Sequence, residues 1–471
     1  MTPLRSQLPN GFTVRLNRRV RITDRGRVLI GGSPTRVLYL SEQASRMIVN
    51  RTIEVSSAST RLLTDRLLEA GMADPVLDRL PEIDDNALTV VVPVFGRPSA
   101  LDRLLASVGP SQIVIVVDDG SPEPDASAIK SIVAKHNAQL VRLPDNRGPA
   151  AARNEGLRHV TTPYVAFADS DIVLDPKAIS VLLKHFADPQ VALAGPRVLG
   201  LHDGTGMNWI GRYEEARSSL DLGIHPATVR PRSPVSWIPG AFLVARVEAL
   251  GEGFTAEHRV GEDVDLVWRL VEQGWRVRFE PEAKVWHEHR QDIVQWLSRK
   301  AFYGTSAHVL SLRHSEAMAP AVFAPWSVAV VASLLFQRRW SVPAAAVISA
   351  IAAWRIAHKL SKSEQPALVG ISLVAKGVLT AQTQTMALLV RHWWPLALGG
   401  SFFSRRLRRA VVASALLDAV LEYRRTRPHL DPFRFAVARR LDDLAYGAGV
   451  WSSALQGRSV RALLPDIRRS P

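Results

Sequence analysis

The stretch Tyr164-Val165-Ala166-Phe167-Ala168-Asp169-Ser170-Asp171 decides the fold that the sequence predicts. An apolar run of strand-forming residues ends in two carboxylates, Asp169 and Asp171. Residues i and i+2 of a strand point to the same side, so both carboxylates can face one cation where the strand ends. Oxygen ligands of this kind suit Mg²⁺ or Mn²⁺. A plain loop turn explains an isolated Asp-x-Asp pair equally well. The neighbouring sequence must therefore distinguish a metal site from a turn.

The sequence before this stretch alternates apolar runs with helix-like segments. Strands are predicted at Leu88–Val94, Ile113–Val117 and Gln139–Leu143, with Tyr164–Ala168 as the fourth. Helices are predicted between the strands, at Ser99–Val108, Ala126–His136 and Ala150–His159. This alternation predicts an α/β fold with a parallel, doubly wound sheet. Such sheets bind ligands at the carboxyl ends of their strands.

Two polar motifs follow predicted strands or open predicted helices. Asp118 and Asp119 close the second strand, where a carboxylate can accept hydrogen bonds from a base or a ribose hydroxyl. A simple turn closed by Asp and Gly is the alternative. Arg153 lies one turn into the helix that Pro149 opens, and it could reach a diphosphate. The alternative for Arg153 is a solvated surface charge.

Two later motifs carry further candidate groups. Glu262 and Asp263 open an amphipathic helix, where a carboxylate could act as a general base. Acidic residues at a helix start are also favoured by the macrodipole alone. His287 and His289 alternate in an extended segment, so both imidazoles lie on one side of the chain, and one could complete a metal site begun by Asp171.

These motifs occur in order over roughly residues 88–300, together with the segment Val90–Pro98 and the loop Gly240-Ala241-Phe242. In this order the sequence resembles the inverting family-2 glycosyltransferases of GT-A fold. The resemblance implies that Asp171 binds a divalent metal, Mg²⁺ or Mn²⁺, that bridges the donor diphosphate. It implies that Asp169 lies near the ribose and the metal, and that His287, or His289 as its alternative, is a further metal ligand.

The same resemblance implies the remaining roles. Asp118 or Asp119 contacts the nucleotide, and we place Pro93 and Arg153 with them in the nucleotide-sugar site. Asp263, with Glu262 beside it, is implied to be the base that removes the acceptor proton. Asp265 is a rival for that role, because the local pattern offers two similarly placed carboxylates. The implied reaction is one direct displacement at the anomeric carbon.

A narrower resemblance runs along most of the chain. The stretch Gly31-Gly32-Ser33-Pro34-Thr35-Arg36 and the late segment from Arg440 to Gly449 are similar to the mycofactocin-system glycosyltransferases of mycobacteria and related actinobacteria. This similarity implies a peptide-derived redox cofactor as acceptor and a β-1,4-linked glucose chain built from a nucleotide sugar, UDP-glucose. Two alternatives stay open: a cell-wall or lipid-linked-sugar glycosyltransferase, and a non-catalytic scaffold that binds nucleotide sugar or peptide.

Residues 1–80 are predicted to form a small winged-helix-like α+β domain, followed by a linker over residues 75–88. Alternation over Phe12–Ile22 predicts one strand, and helices are predicted at Glu42–Val49 and Ser56–Glu69. The domain resembles peptide-recognition domains that accompany peptide-modifying enzymes; an ordinary α+β lid is the alternative. It is basic, but no recognition-helix pattern supports a nucleic-acid partner, so none is predicted.

Composition narrows the possible partners. The 471 residues suffice for about two or three domains, and the formal net charge of +15 indicates an anionic partner. The absence of cysteine excludes disulfides, thiolate zinc sites and cysteine nucleophiles. The first residues lack a charged-then-apolar pattern, so export through a signal peptide is not expected. The glycosyltransferase domain is predicted to span residues 88–315.

Residues 316–471 are predicted to form a hydrophobic, helical, membrane-associated region. Its apolar stretches are Ala319–Phe336, Trp340–Trp354 and Pro366–Val390, of which the first and third approach the length of a membrane span. Basic residues such as those of Arg405–Arg409 would face anionic lipid on the cytoplasmic side. This predicts a cell-membrane location with a cytoplasmic catalytic domain. Two to four spans, surface helices and a soluble bundle stay open as alternatives.

Overall fold

The computed structural model describes residues 8–110, 112–201, 206–315, 317–360 and 364–468. The chain divides into two compact units. The first unit comprises Met1–Thr205 and Ser218–His289, and the second comprises Gly206–Arg217 and Arg290–Pro471. The domain boundaries proposed at residues 80, 88 and 315 stay predictions.

The N-terminal part of the first unit consists of short strands and two helices. In chain order these are β1 (Thr13–Leu16), β2 (Arg21–Thr23), β3 (Val28–Gly31), β4 (Arg36–Tyr39), α1 (Glu42–Arg46), β5 (Thr52–Glu54), α2 (Ala58–Glu69) and β6 (Ala73–Pro75). They form two antiparallel three-stranded sheets, with strand orders β5-β1-β6 and β2-β3-β4.

The prediction of a single strand over Phe12–Ile22 is wrong. The segment is interrupted by a turn in which the Val20 amide donates to the Asn17 carbonyl at 2.9 Å, so β1 and β2 lie in different sheets. The predicted helix Glu42–Val49 is also shorter than expected. The chain reverses where Val49 pairs with Thr52, which ends α1 at Arg46.

The large sheet of the first unit is built from the segments that follow. In chain order the elements are β7 (Leu88–Val94), α3 (Pro98–Val108), β8 (Ile113–Asp118), α4 (Asp125–Lys135), β9 (Gln139–Arg142), α5 (Pro149–Arg158), β10 (Tyr164–Ala168), β11 (Ile172–Leu174), α6 (Ala178–Lys184), β12 (Val191–Gly200), α7 (Trp209–Arg217, in the second unit), β13 (Ala227–Thr228), β14 (Phe242–Arg246), α8 (Val247–Leu250), α9 (Glu262–Glu272) and β15 (Arg276–His287).

The strand order is β11-β15-β12-β14-β10-β7-β8-β9, with β13 pairing β15. Strands β9, β8, β7 and β10 are parallel, as predicted. The second half is mixed, since β14 runs antiparallel to β10 and to β12. The expectation of a wholly parallel sheet therefore holds only for the first four strands.

Helices cover both faces of the parallel strands. Val90, Val92 and Val94 of β7 belong to one core cluster with apolar residues of α3, α4 and α6. The alternate residue Val91 faces α5, where a Cβ on Gly156 would clash with its side chain. This alternation within one strand follows from the period of two in β structure, and it explains why β7 is apolar throughout.

The chain order of the strands creates a switch point. After β7 the chain adds β8 and β9 on one side, and it then returns to place β10 on the other side of β7. The loops that follow β7 and β10 therefore diverge, which opens a crevice at the carboxyl ends of these strands. This edge carries the candidate site.

The N-terminal part of the unit is tied to the start of β15. Arg276 bonds Asp188 at 2.7 Å and also pairs with Asp65 of α2. Arg278 donates to Asp74 of β6 at 2.7 Å. Because His287 ends the same strand, about 30–36 Å of extended chain separates these arginines from it. Helix α2 and strand β6 are thus held at the end of β15 that is remote from His287.

The second unit is helical. Besides α7 it contains α10 (Ile293–Arg313), β16 (Val322–Phe323), α11 (Pro325–Leu335), α12 (Ser341–Lys359), α13 (Pro366–Ala387) with a π-helical turn at Leu388–His392, α14 (Trp394–Phe403), α15 (Arg405–Thr426), α16 (Pro432–Gln456) and β17 (Asp466–Ile467). Helices α10 and α16 approach closely, because Gly304 faces the Tyr446 carbonyl and Gly449 faces the Ala301 carbonyl with no room for a side chain.

Eight charged side chains meet around α16, and we name this group the helical ion cluster. Lys300 bonds Glu214 at 2.9 Å, Arg391 bonds Asp443 at 2.9 Å, and Arg439 bonds Asp418 at 3.1 Å. The full set is Lys300, Arg391, Arg439, Arg440, Glu214, Asp418, Asp442 and Asp443. Four cations thus face four carboxylates.

Two described helices are long and apolar enough to cross a membrane, by length and composition: Ser341–Lys359 and Pro366–His392. The expectation that Ala319–Phe336 approaches a span is wrong. That stretch divides into β16 and the 11-residue helix α11, which is about 17 Å long and falls short of a bilayer core of about 30 Å.

Candidate active site

The metal-site candidates meet where β10 ends and β11 begins. Asp169 follows β10, and its amide donates to the Ala241 carbonyl at 2.9 Å. Strand β11 pairs with the end of β15, so that Ile172 lies opposite His287. This pairing places His287 Nε2 3.5 Å from Asp171 Oδ1. His289, the alternative ligand, lies instead against Gly200.

Arg97 is a site residue that the sequence motifs did not predict. It follows β7 and precedes α3 in a left-handed conformation, with φ of 56°. Its Nη1 donates to Asp171 Oδ2 at 2.7 Å, and its Nη2 lies 3.8 Å from Glu288. The only sequence signal is its position between the end of the first parallel strand and Pro98, which opens α3.

Arg153 connects two of the predicted motifs. Its buried guanidinium donates to Asp169 Oδ1 at 2.6 Å through Nη2 and to Glu262 Oε1 at 2.9 Å through Nη1. It also lies over the Phe254 ring, 5.2 Å from the centroid. Both terminal nitrogens thus already donate within the protein, and contact of Arg153 with a diphosphate stays a prediction.

Asp263 lies beside this connection at the start of α9. Its Oδ2 accepts from the Gly240 amide at 2.8 Å, and its Oδ1 accepts from the Val264 amide at 2.8 Å. Burial raises the pKa of Asp263 to about 7, with the neighbouring charge of Glu262 adding to the shift. A carboxylate with such a pKa is suited to accept a proton near neutral pH.

Asp265, the rival for the base role, occupies a different environment. It is fully buried, and its Oδ2 accepts from the Thr255 hydroxyl at 2.7 Å. It also pairs with Arg269 on the same helix at 3.8 Å. These contacts describe a side chain that joins α9 to the preceding loop, whereas Asp263 is only partly buried.

The candidate nucleotide residues lie at the ends of β7 and β8. Pro93 is buried one residue before the end of β7. Asp118 accepts from the Ser121 amide at 2.9 Å, which closes the turn. Asp119 accepts from the amides of Arg147 and Gly148 at 2.8 Å each, which holds the loop before α5. Burial raises the pKa of Asp119, and these two amides oppose that shift.

The residues at this edge have the chemistry of a divalent-metal site. Burial raises the pKa of Asp169; the guanidinium of Arg153 opposes this rise, and the charge of Asp171 adds to it. His287 Nδ1 is buried and has no hydrogen-bond partner among the residues described. Among the residues that the structure describes, no three His, Asp or Glu side chains converge as a bound ion requires. Arg97 pairs with Asp171 and Arg153 pairs with Asp169. Carboxylates with one imidazole are nevertheless a donor set for Mg²⁺ or Mn²⁺.

Comparison with known proteins identifies the family. The model described as Glycosyl transferase family 2 matches residues 89–234, and that described as Glycosyl transferase family group 2 matches residues 164–358. The pre-mycofactocin glycosyltransferase of Mycobacterium tuberculosis is 40% identical over 98% of this chain and 99% of its own length. The chain belongs to the pre-mycofactocin glycosyltransferases. The predicted resemblances to the family-2 and the mycofactocin-system glycosyltransferases are thereby confirmed, and the sheet with its helical C-terminal region is a GT-A-type transferase fold.

Two further proteins are similar to this chain at lower identity. The poly-beta-1,6-N-acetyl-D-glucosamine synthase of Staphylococcus aureus is 26% identical over 50% of this chain and 59% of its own length. A mannosyltransferase from Pyrobaculum calidifontis, solved with GDP-Man and Mn²⁺, is 18% identical and covers 65% of this chain and 90% of its own, with a TM-score of 0.37.

Proposed function

We propose that this glycosyltransferase moves glucose from a nucleotide sugar, UDP-glucose, onto the peptide-derived precursor of mycofactocin and repeats the transfer to build a β-1,4-glucan chain. The acceptor is inferred from the name of the Mycobacterium tuberculosis relative. One observation carries the chemistry: Arg153 joins the Asp169 side of the site to Glu262, next to Asp263, at a single sheet edge.

We assign Asp169, Asp171 and His287 to a divalent metal, Mg²⁺ or Mn²⁺. When bound, such an ion neutralises the charge that develops on the departing nucleoside diphosphate. For Asp169 and Asp171 to take part, the oxygens now bonded to Arg97 and Arg153 must be shared or released. Arg97 is partly exposed and can move, whereas Arg153 is enclosed.

Asp263 is the proposed base. It takes the proton of the acceptor hydroxyl while the oxygen forms a bond to the anomeric carbon and the bond from that carbon to the diphosphate breaks. Because one displacement inverts the anomeric centre, an α-linked donor gives a β-glycoside. Glu262 holds Arg153, and the Gly240 and Val264 amides fix the orientation of the Asp263 carboxylate.

Pro93, Asp118 and Asp119 are proposed to form the nucleotide side of the site. Their contacts suggest that Asp119 acts by holding the loop before α5, and that Asp118 shapes the turn after β8. We assign Arg153 as a positioning residue of the nucleotide-sugar site rather than a direct contact, because its terminal nitrogens bond Asp169 and Glu262.

We further propose that residues 1–80 recognise the peptide-derived acceptor and that the helical second unit holds the enzyme to an anionic cell membrane, with its catalytic part on the cytoplasmic side. The large exposed apolar side chains on α12 and α13, including Trp354, Leu368 and Leu379, support attachment to lipid. A lipid-linked-sugar transferase is the second candidate, because the same apolar surface suits a lipid acceptor.

The test is incubation of the full chain with Mn²⁺ and each of several nucleotide sugars, with the peptide-derived acceptor in one set of reactions and a lipid-linked sugar acceptor in another, followed by mass spectrometry. The proposal predicts successive hexose additions to that acceptor with UDP-glucose. Transfer only to a lipid acceptor would favour the second candidate. No transfer from any donor would contradict a catalytic function and favour a binding scaffold.

A further inference from the structure

An exposed apolar corner lies in the second unit where α14 ends and α15 begins. Phe402 and Phe403 are 78% and 94% exposed, and Leu396 and Leu398 of α14 are more than half exposed. Aromatic side chains of this size are rarely left in water in a contiguous group. The corner therefore needs a partner with an apolar surface.

Four exposed arginines follow this corner at the start of α15: Arg405, Arg406, Arg408 and Arg409. The positive end of the helix dipole lies at the N-terminus, where cations are unfavourable. No acidic residue occupies this first turn. Arg408 Nη1 donates to the Ser401 carbonyl at 3.2 Å, near the end of α14. Helix stability does not explain the other three arginines, whereas binding of an anion does.

Helix α15 combines the two kinds of surface along one face. Arg405 and Arg409 are followed at steps of three and four residues by Val412, Leu416 and Val420, all of them exposed. Residues at this spacing share one side of a helix. One face thus carries guanidinium groups at its start and exposed apolar side chains as far as Val420.

A cavity adjoins the arginines. Its volume is about 390 Å³, within the range of small-molecule sites. The apolar side chains that line it come from the end of α11, the π-helical turn and α15: Leu335, Phe336, Leu389 and Leu407. Two polar residues at the start of α15, Ser404 and Arg406, complete the lining. An apolar cavity that shares an arginine with the basic cluster suits a molecule with an apolar chain and an anionic head.

We propose that this corner binds an anionic phospholipid of a bilayer, with the phosphate at Arg405–Arg409 and the acyl chain against Phe402, Phe403 and the cavity. The inference rests on the proposed membrane attachment and deepens it, since it names the lipid class and the contact site. Apolar side chains beside the arginines favour a lipid over free phosphate, which would leave Phe402 and Phe403 in water.

The test is flotation of the full-length chain with vesicles of phosphatidylcholine alone or mixed with phosphatidylglycerol. The wild type is expected to float with the mixed vesicles and much less with phosphatidylcholine. Arg405→Gln with Arg409→Gln is expected to weaken binding about thirtyfold, since each basic side chain near an anionic surface contributes about 1 kcal/mol. The matched control, Arg424→Gln with Arg425→Gln, removes the same charge from the other end of α15 and is expected to bind as the wild type does.

A second pair of substitutions separates the apolar contact from the charge. Phe402→Ser with Phe403→Ser is expected to weaken the binding that persists at high salt, because salt screens the arginines but not the apolar contact. Equal flotation with both vesicle types, or equal weakening by the two arginine pairs, would overturn the proposal. Sugar transfer in vesicle-free solution is measured for every variant, so a failure of the proposed enzymatic function is seen separately from a failure of lipid binding.

Discussion

The candidate site at the sheet edge of the first unit and the helical ion cluster of the second unit both bury charged side chains. They differ in the balance of positive and negative charges. In the cluster four cations meet four carboxylates, and although burial opposes it, Lys300 and Arg391 lower the pKa of Asp442. At the edge, the described residues place four carboxylates, those of Asp169, Asp171, Glu262 and Asp263, against two guanidinium groups, those of Arg97 and Arg153, with His287 beside Asp171. There burial raises the pKa values of Asp169 and Asp263.

The difference distinguishes a structural cluster from a reactive one. A balanced set of buried ion pairs keeps its carboxylates charged and holds helices in register. An acid-rich set is stabilised by an added cation or proton, and it is where a metal or a substrate proton can bind. The comparison predicts that substitutions at the edge reduce turnover, whereas substitutions in the helical ion cluster reduce stability.

The largest effect is expected for Asp263→Asn. Loss of the base should lower transfer about 10³-fold, measured as glucosylated product per folded enzyme. The control is Asp265→Asn, the rival carboxylate, which should keep most turnover and lose stability because Thr255 loses a charged acceptor. Near-normal turnover by Asp263→Asn would remove Asp263 from the base role.

In the helical ion cluster, Asp443→Ala should lower the free energy of unfolding by about 3–5 kcal/mol, because Arg391, Arg439 and Arg440 lose a buried partner. Denaturant unfolding measures the change. Turnover per folded molecule should stay near the wild-type value. A variant that is fully stable but inactive would contradict the structural role of the cluster.

Arg153→Gln tests the link between the two halves of the edge. The positive charge of Arg153 opposes the effects of burial and Glu262 on Asp263, so its removal should raise the pKa of Asp263 further. Since the base must be deprotonated, the acidic limb of the rate profile should move from near pH 7 to higher pH, and turnover at pH 7 should fall about 10–100-fold. Arg153→Lys keeps the charge and should keep the limb near its wild-type position. An unshifted limb in Arg153→Gln would contradict the assignment.

The smallest effect is expected for Arg97→Gln. Its exposed guanidinium holds Asp171 only through a partly solvated pair, so turnover should change a few-fold. Binding of the metal should become tighter, because Asp171 no longer shares an oxygen with Arg97. Mn²⁺ titration measures this, and weaker binding would show that Arg97 assists the ion instead.

Buried strands made of continuous apolar residues were the most predictable part of the fold. The bounds of β7 and β10 match the predicted Leu88–Val94 and Tyr164–Ala168, because strands covered on both faces need apolar residues at every position. The turn within Phe12–Ile22 was missed because the alternation of apolar residues continues across it. The antiparallel insertion of β14 beside β10 is a long-range pairing that no local pattern specifies.

Within the candidate site, the sequence indicated carboxylates at strand and helix ends but not their partners. Asp171 and His287 are brought together by the pairing of β11 with β15. The engagement of Arg153 by Asp169 and Glu262 depends on residues distant in sequence and could not be predicted from its helix alone. Arg97 was missed for the same reason, since only its contact with Asp171 distinguishes it from a surface arginine.

The central claim is that the excess of carboxylates at the sheet edge binds a divalent metal. The most direct test is to titrate Mn²⁺ into the full-length chain with UDP present and to follow free Mn²⁺ by electron paramagnetic resonance. We expect one bound Mn²⁺ per chain, lost in Asp171→Asn and retained in Asp443→Asn. Absence of Mn²⁺ binding, or its loss in Asp443→Asn while Asp171→Asn still binds, would contradict it.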